Sequence, residues 1–239
     1  ITEPGKADEM RIAALKNWAT RKVMAAEVMN RSNVSIAGGV VILSTQEWAG
    51  MNRRTYTFEP RKADRDRVFA VEYDNGKEGD HNKMMIIAYY GYNSSHTMRE
   101  EVGEMHEWIW KVKSRFKRKN WKAPVLLVGD MNAAVSSYLD TDRQDVYTEQ
   151  RDLETLGFNA PLRQDFPSLR LSTRKGDGSQ TMTYLDRVLM TTELSEHPET
   201  KVGIFQPAVF GLGDTDHKMV VADLPIDVAR SEEHTSELQ

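Results

Sequence analysis

Pro124-Val125-Leu126-Leu127-Val128-Gly129-Asp130-Met131-Asn132 is the stretch on which the fold turns. Val125 to Val128 form a continuous apolar run after a proline. The run is too short for a typical helix, and it reads as a strand buried on both faces. Then the chemistry changes. Gly129 permits a bend or a close approach, and Asp130 and Asn132 follow with only Met131 between them. On an extended backbone, residues two apart point to the same side. A buried strand therefore ends by presenting a carboxylate and a carboxamide together. The same residues also suit a plain strand running into an Asp/Asn turn.

The chain has 239 residues, enough for one large domain or two small ones with a real core. Hydrophobic content of 39% and charged content of 28% describe a globular protein rather than a disordered one. Its longest apolar runs are too short to cross a bilayer, and no N-terminal segment has the plan of a secretory signal. An intracellular setting, cytoplasm or nucleus, with no membrane partner is the expectation. There is no cysteine, which excludes disulfides and thiolate metal sites. A metal would need oxygen and imidazole ligands, so Mg²⁺ or Mn²⁺ is expected. With a net charge of −4, a polyanionic partner needs a local basic patch.

Working outward, Ile1 to Pro4 reads as a strand end carrying Glu3, and Ala7 to Thr20 as a surface helix. Lys22 to Met29 suits helix or strand. Arg31 to Ile36 reads as a loop, and Gly38-Gly39 as a turn feeding a strand from Val40. Trp48 to Arg65 looks like a basic loop. Val68 to Tyr73 and Met84 to Tyr90 read as a hairpin about Asp74-Asn75-Gly76. Arg99 to Lys117 is the clearest helix, with Val102, Met105, Ile109 and Val112 on one face. Its end is heavily basic: Lys111, Lys113, Arg115, Lys117, Arg118, Lys119 and then Lys122, seven cations in twelve residues. These complement the helix C-terminus, or they form a face for nucleic acid or membrane; both readings stand. A polar loop from Ser136 to Asp145 and a helix from Thr148 to Leu156 capped by Gly157 follow. Strands are expected at Leu169 to Thr173, Thr181 to Thr191, Val202 to Phe205 and from Met219 onward. Turns or loops fall at Gly176 to Gly178 and Gly211 to Asp216. Hairpin-like neighbours among interspersed helices favour mixed sheets.

Chemistry collects at strand ends: Asp130 and Asn132, Asp186, and Asp216-His217. Asp186 breaks an apolar alternation and needs a partner, either His217 or its neighbour Arg187. His217 read alone is simply a histidine at the start of a strand. Together, carboxylates, an asparagine and a histidine suit metal-assisted attack of water on a phosphoester.

Six short motifs, in matching order, resemble the endonuclease/exonuclease/phosphatase superfamily. Gly129-Asp130-Met131-Asn132 is similar to its Gly-Asp-Phe-Asn motif, and Thr215-Asp216-His217 to its Ser-Asp-His motif. Tyr184 to Leu189 resembles its Arg-Ile-Asp-Tyr or Arg-Leu-Asp-Arg strand, and Thr2-Glu3 sits where Gln-Glu-Thr is found. Gly38-Gly39-Val40 and Tyr90-Gly91-Tyr92-Asn93 resemble a strand start and a Tyr-Gly-Pro-Asn turn. The resemblance covers Ile1 to about Pro225. It implies an α/β fold, a four-layer α/β/β/α sandwich of two mixed sheets with outer helices, its site at one rim. It further implies that Glu3 holds Mg²⁺ and that Asp216 is a metal or supporting carboxylate. Asp130 would activate or orient water, and Asn132 would align the phosphate or that aspartate. His217 would contact the scissile phosphate, oriented by Asp186, with Tyr90 a further phosphate contact.

Two departures stand out. The family's first strand is expected upstream of Ile1, and Tyr184 replaces the arginine before the strand aspartate. One domain is expected over residues 1–226, with a tail at 227–239. Arg230 to Gln239 reads like a translated short-read sequencing adaptor and is set aside from the fold. Leu185-Asp186-Arg187-Val188-Leu189 resembles endonuclease domains of non-long-terminal-repeat retrotransposons, which precede a reverse transcriptase and nick DNA, more than it resembles free-standing repair nucleases. The resemblance therefore implies a Mg²⁺-dependent DNA endonuclease of a retroelement polyprotein. A free-standing abasic-site nuclease, or a phosphatase or lipid phosphodiesterase on the same fold, is the alternative. A DNA-binding pseudo-enzyme is the alternative of another class.

Overall fold

The apolar runs at Val68, Met84 and Val125 lie side by side at the centre of the molecule. The computed structural model describes residues 24–29, 40–45, 48, 50–61, 63, 67–78, 82–92, 98–132, 153–159, 174–175, 182–183, 186–205 and 219–225. In chain order these give β1 (Met24–Met29), β2 (Val40–Thr45), β3 (Asn52–Thr57), β4 (Val68–Asp74) and β5 (Lys83–Tyr90). Helix α1 (Arg99–Lys119), β6 (Val125–Asp130), β7 (Arg174–Lys175), β8 (Met182–Thr183) and β9 (Asp186–Met190) follow. The short α2 (Thr192–Ser195), β10 (Lys201–Phe205) and β11 (Met219–Asp223) complete the set.

Five strands form one mixed sheet in the order β3-β4-β5-β6-β9. Only β5 and β6 are parallel, and α1 makes the crossover between them. Alternation along the strands sorts the sheet into two apolar faces. Met85, Ile87, Tyr89, Val125 and Leu127 pack under α1, whose Val102, Met105, Ile109, Val112 and Phe116 recur at helical spacing. Full burial of a side chain such as Ile109 is worth about 1.5–3 kcal/mol. Acidic Glu100 and Glu101 open α1 and Lys117, Arg118 and Lys119 close it, matching its dipole.

The other face is covered by two antiparallel pairs, β1-β2 and β10-β11. Val40 and Ile42 pack with Phe69, Val71, Ala88 and Tyr90. Val202 and Leu224 pack beside Met84, Leu126 and Met190. Helix, sheet and a second strand layer are thus three of the four layers expected. No helix among the described residues is long and apolar enough to cross a membrane.

The expected hairpin is β4-β5, and within the segment that suits helix or strand Met24–Met29 is strand. Two expectations change. The basic loop from Trp48 contains β3, an edge strand among the described residues, whose Asn-Arg-Arg-Thr-Tyr-Thr sequence has no apolar alternation because side chains on both of its faces are exposed. The single strand from Thr181 divides: Met182–Thr183 pairs with β7, while Asp186–Met190 joins the main sheet. Gly157 does cap a helical turn, at φ +77°, with its N–H on Glu154 O at 2.9 Å. The expected Ala7 to Thr20 helix, the Arg31 to Ile36, Ser136 to Asp145 and Gly211 to Asp216 loops, the Leu169 to Thr173 strand, the Gly176 to Gly178 turn and the Arg230 to Gln239 tail lie outside the described residues.

Candidate active site

The C-terminal ends of the parallel strands β5 and β6 meet the start of β9 at one rim of the sheet. Tyr90 and Asp186 are both register partners of Asp130, so all three share the face that looks toward the second strand layer. Opposed residues of an antiparallel pair stand about 5 Å apart at Cα, which brings the two carboxylates into one small volume.

Two glycines make this close approach. Gly129 has φ +143°, and a Cβ there would lie 1.9 Å from Tyr89 O. A Cβ on Gly91 would lie 2.0 Å from Met131 O. Beyond Asp130 the strand ends. Asn132 adopts a left-handed φ of +47°, a conformation asparagine tolerates. The extended-strand argument for Asp130 and Asn132 therefore gives way to a turn. Asn132 N–H donates to Asp130 Oδ1 at 2.8 Å, and its Nδ2 donates to Gly91 O at 2.9 Å. Gly91 N–H donates in turn to Asp130 O at 2.8 Å, and buried Met131 pins the turn into the α1-side core. Strand chemistry and Asp/Asn turn chemistry are both present.

Arg67, which the sequence reading passed over, completes the network. It stands just before β4 and beside Tyr90 across the ladder. Its guanidinium donates to Gly91 O at 2.8 Å and to Tyr90 O at 3.4 Å, and lies 3.8 Å from the Tyr92 ring centroid and 4.8 Å from that of Tyr90. Gly91 O thus accepts from both Arg67 and Asn132. Arg187, register partner of Gly129, is only 1% exposed. Adjacent strand residues face opposite ways, so it lies on the far side of the sheet from Asp186.

The basic run is elsewhere. α1 leads away from the rim to the start of β6, where Lys117 Nζ donates to Ala123 O at 3.1 Å. Five strand intervals of about 3.3 Å put that end some 17 Å from Asp130. Lys117 also pairs with Glu193 at 2.8 Å, and Lys111 with Glu107 at 2.6 Å. Lys113 donates to the carbonyls of Leu156 and Gly157, and burial beside Lys117 pulls its ammonium below the ordinary lysine range. Arg115, Arg118, Lys119 and Lys122 remain exposed.

Glu3, Asp216 and His217 lie outside the described residues. Among the described residues no three acidic or histidine side chains gather as a metal centre. Asp130 and Asp186 supply the oxygen donors that a hard divalent cation takes, so the donor chemistry fits Mg²⁺ or Mn²⁺.

With that geometry in hand, the fold can be placed among known proteins. No family model and no curated protein matches the sequence. Solved structures do match. A Neisseria 3′ phosphatase, NExo, bound to product DNA hairpin superposes with TM-score 0.70 at 16% identity, over 93% of this chain and 86% of that one. An AP endonuclease from Archaeoglobus fulgidus gives 0.66 at 16%, over 94% and 87%. An AP endonuclease from Leishmania major gives 0.66 at 13%, over 83% and 69%. The chain therefore shares the mixed α/β sandwich fold of these structures.

Proposed function

We propose that the chain is a metal-dependent phosphodiester hydrolase that nicks DNA. The observation that carries this is the opposition of Asp130 and Asp186 at the rim, with Tyr90 on the same face and the Asn132 turn behind. Asp130 accepts a proton from, or aligns, the attacking water. Asn132 acts on that aspartate: its backbone N–H fixes Oδ1, and its side chain locks the turn to Gly91. Asp186 orients His217, whose cation steadies the charge that develops on the phosphate, and Tyr90 adds a phosphate contact. Glu3 and Asp216 would hold the Mg²⁺ or Mn²⁺ together with the Asp130 and Asp186 carboxylates of the rim; when bound, the ion would lower the pKa of water and neutralise phosphate charge.

The Leu185 to Leu189 motif supports a retroelement endonuclease whose polyprotein partner is a reverse transcriptase. Conversion of supercoiled plasmid to nicked circle with Mg²⁺ tests the activity. Loss of nicking in Asp130→Ala and His217→Ala supports it; intact plasmid with the wild-type chain rejects it. The names of the structural neighbours favour a second reading, processing of abasic sites or 3′-phosphate ends. Duplexes carrying those lesions, cut in preference to plain duplex, would select it.

A further inference from the structure

The outer surface of α1 and the turn after it carry a feature that the rim chemistry does not use. Trp110 is 54% exposed and Trp121 is 68% exposed. Ser114 falls between them, and at 100° per residue Trp110 and Ser114 fall on one side of α1 with Arg118 beside them. Trp121 stands just past the helix end, and nine residues at 1.5 Å each place that end, Lys119, about 14 Å along the axis from Trp110. Cations interleave with the rings: Arg115, Arg118, Lys119 and Lys122 are exposed, and Lys122 Nζ lies 4.8 Å from the Trp121 centroid. The nearby acidic groups are already engaged, Glu107 with Lys111 and Glu193 with Lys117.

We propose that this face is a second, non-catalytic binding surface for an unpaired stretch of nucleic acid. Bases stack on Trp121 and Trp110 while Arg118, Lys119 and Lys122 follow the phosphates. Separated aromatic platforms among cations are what single strands require. A membrane needs instead a broad apolar face, and that face of α1, Val102 to Phe116, is spent on the core. Against a net charge of −4, the patch is a local basic exception. The surface lies at the opposite end of β6 from Asp130, so it grips strand outside the reacting bond.

Titration of the full chain with a short oligothymidylate, read by tryptophan quenching and by anisotropy of a labelled strand, tests this. Trp121→Ala should weaken binding about tenfold. Arg118→Glu should weaken it and flatten the salt dependence. Asp130→Ala should leave oligothymidylate binding as it is, and Trp121→Ala should leave hydrolysis of a small aryl phosphodiester as it is. Circular dichroism confirms that each variant is folded. If the wild-type chain hydrolyses nothing yet loses oligothymidylate affinity in Trp121→Ala, the surface stands and the hydrolase reading falls. Unchanged affinity in both surface variants overturns the proposal. So does quenching by anionic phospholipid vesicles with no response to the oligonucleotide.

Discussion

At the scale of single residues, Gly129 and Arg67 decide whether the rim exists. Gly129 combines φ +143° with a Cβ position 1.9 Å from Tyr89 O, so alanine there must both strain the backbone and part β5 from β6. Strain and overpacking of that kind each cost about 1–3 kcal/mol, so Gly129→Ala should lower stability by about 3 kcal/mol in urea unfolding. Arg67 acts through its neighbours. Its guanidinium shares Gly91 O with Asn132, and Asn132 holds Asp130. Replacing a supporting partner of this sort typically costs 10–100-fold in activity. Arg67→Met should therefore lower kcat for nicking within that range with KM little changed, and Arg67→Lys should recover part of it. An equal loss in both variants with reduced thermal stability would mean that Arg67 is merely structural. Little of this was open to sequence reading. Asp130 and Asn132 are marked by their sudden polarity after an apolar run, whereas Arg67 is one arginine among many until the β4-β5 register sets it beside Tyr90.

At the scale of elements, legibility follows burial. β4, β5 and β6 are apolar on both faces because α1 covers one and paired strands cover the other, so their sequences stand out. β3 is an exposed edge and carries no pattern. The basic run is the instructive case. Seven cations suggest one surface, yet Lys113 and Lys117 hold carbonyls and a carboxylate within the protein. α1 also contains His106, buried within 3.4 Å of Tyr89 Oη and lowered by burial from 6.5 to about 4. The folded state thus favours the neutral ring. Its contribution is complete above pH 6.5 and is lost as pH falls through that value toward 4, because the unfolded chain binds the proton first. Between pH 7 and 4.5 this amounts to about 2–3 kcal/mol. Urea midpoints should show His106→Leu losing less stability than the wild type over that interval. Parallel losses would remove His106 from the account.

At the scale of the whole molecule, strands far apart in sequence bring their ends to one rim, and the pairing of Asp130 with Asp186 emerges only there. Sequence places each carboxylate at a strand end but cannot say that the two strands are neighbours, since β6 and β9 are joined through a long intervening stretch. Opposed like charges across a ladder disfavour the fold by a few tenths of a kcal/mol or more. On the proposed function, a divalent cation that neutralises them would bind the folded chain and not the unfolded one, and so would stabilise the fold. At tenfold excess over its Kd, Mg²⁺ should add about 1.4 kcal/mol, a rise in Tm of about 3–6 °C. EDTA should reverse the rise, and Asp130→Asn and Asp186→Asn should each abolish it while Lys119→Gln leaves it in place. A Tm that responds to Mg²⁺ equally in all four proteins would assign the effect to general screening, because screening acts on every surface charge and does not depend on the two carboxylates at the rim.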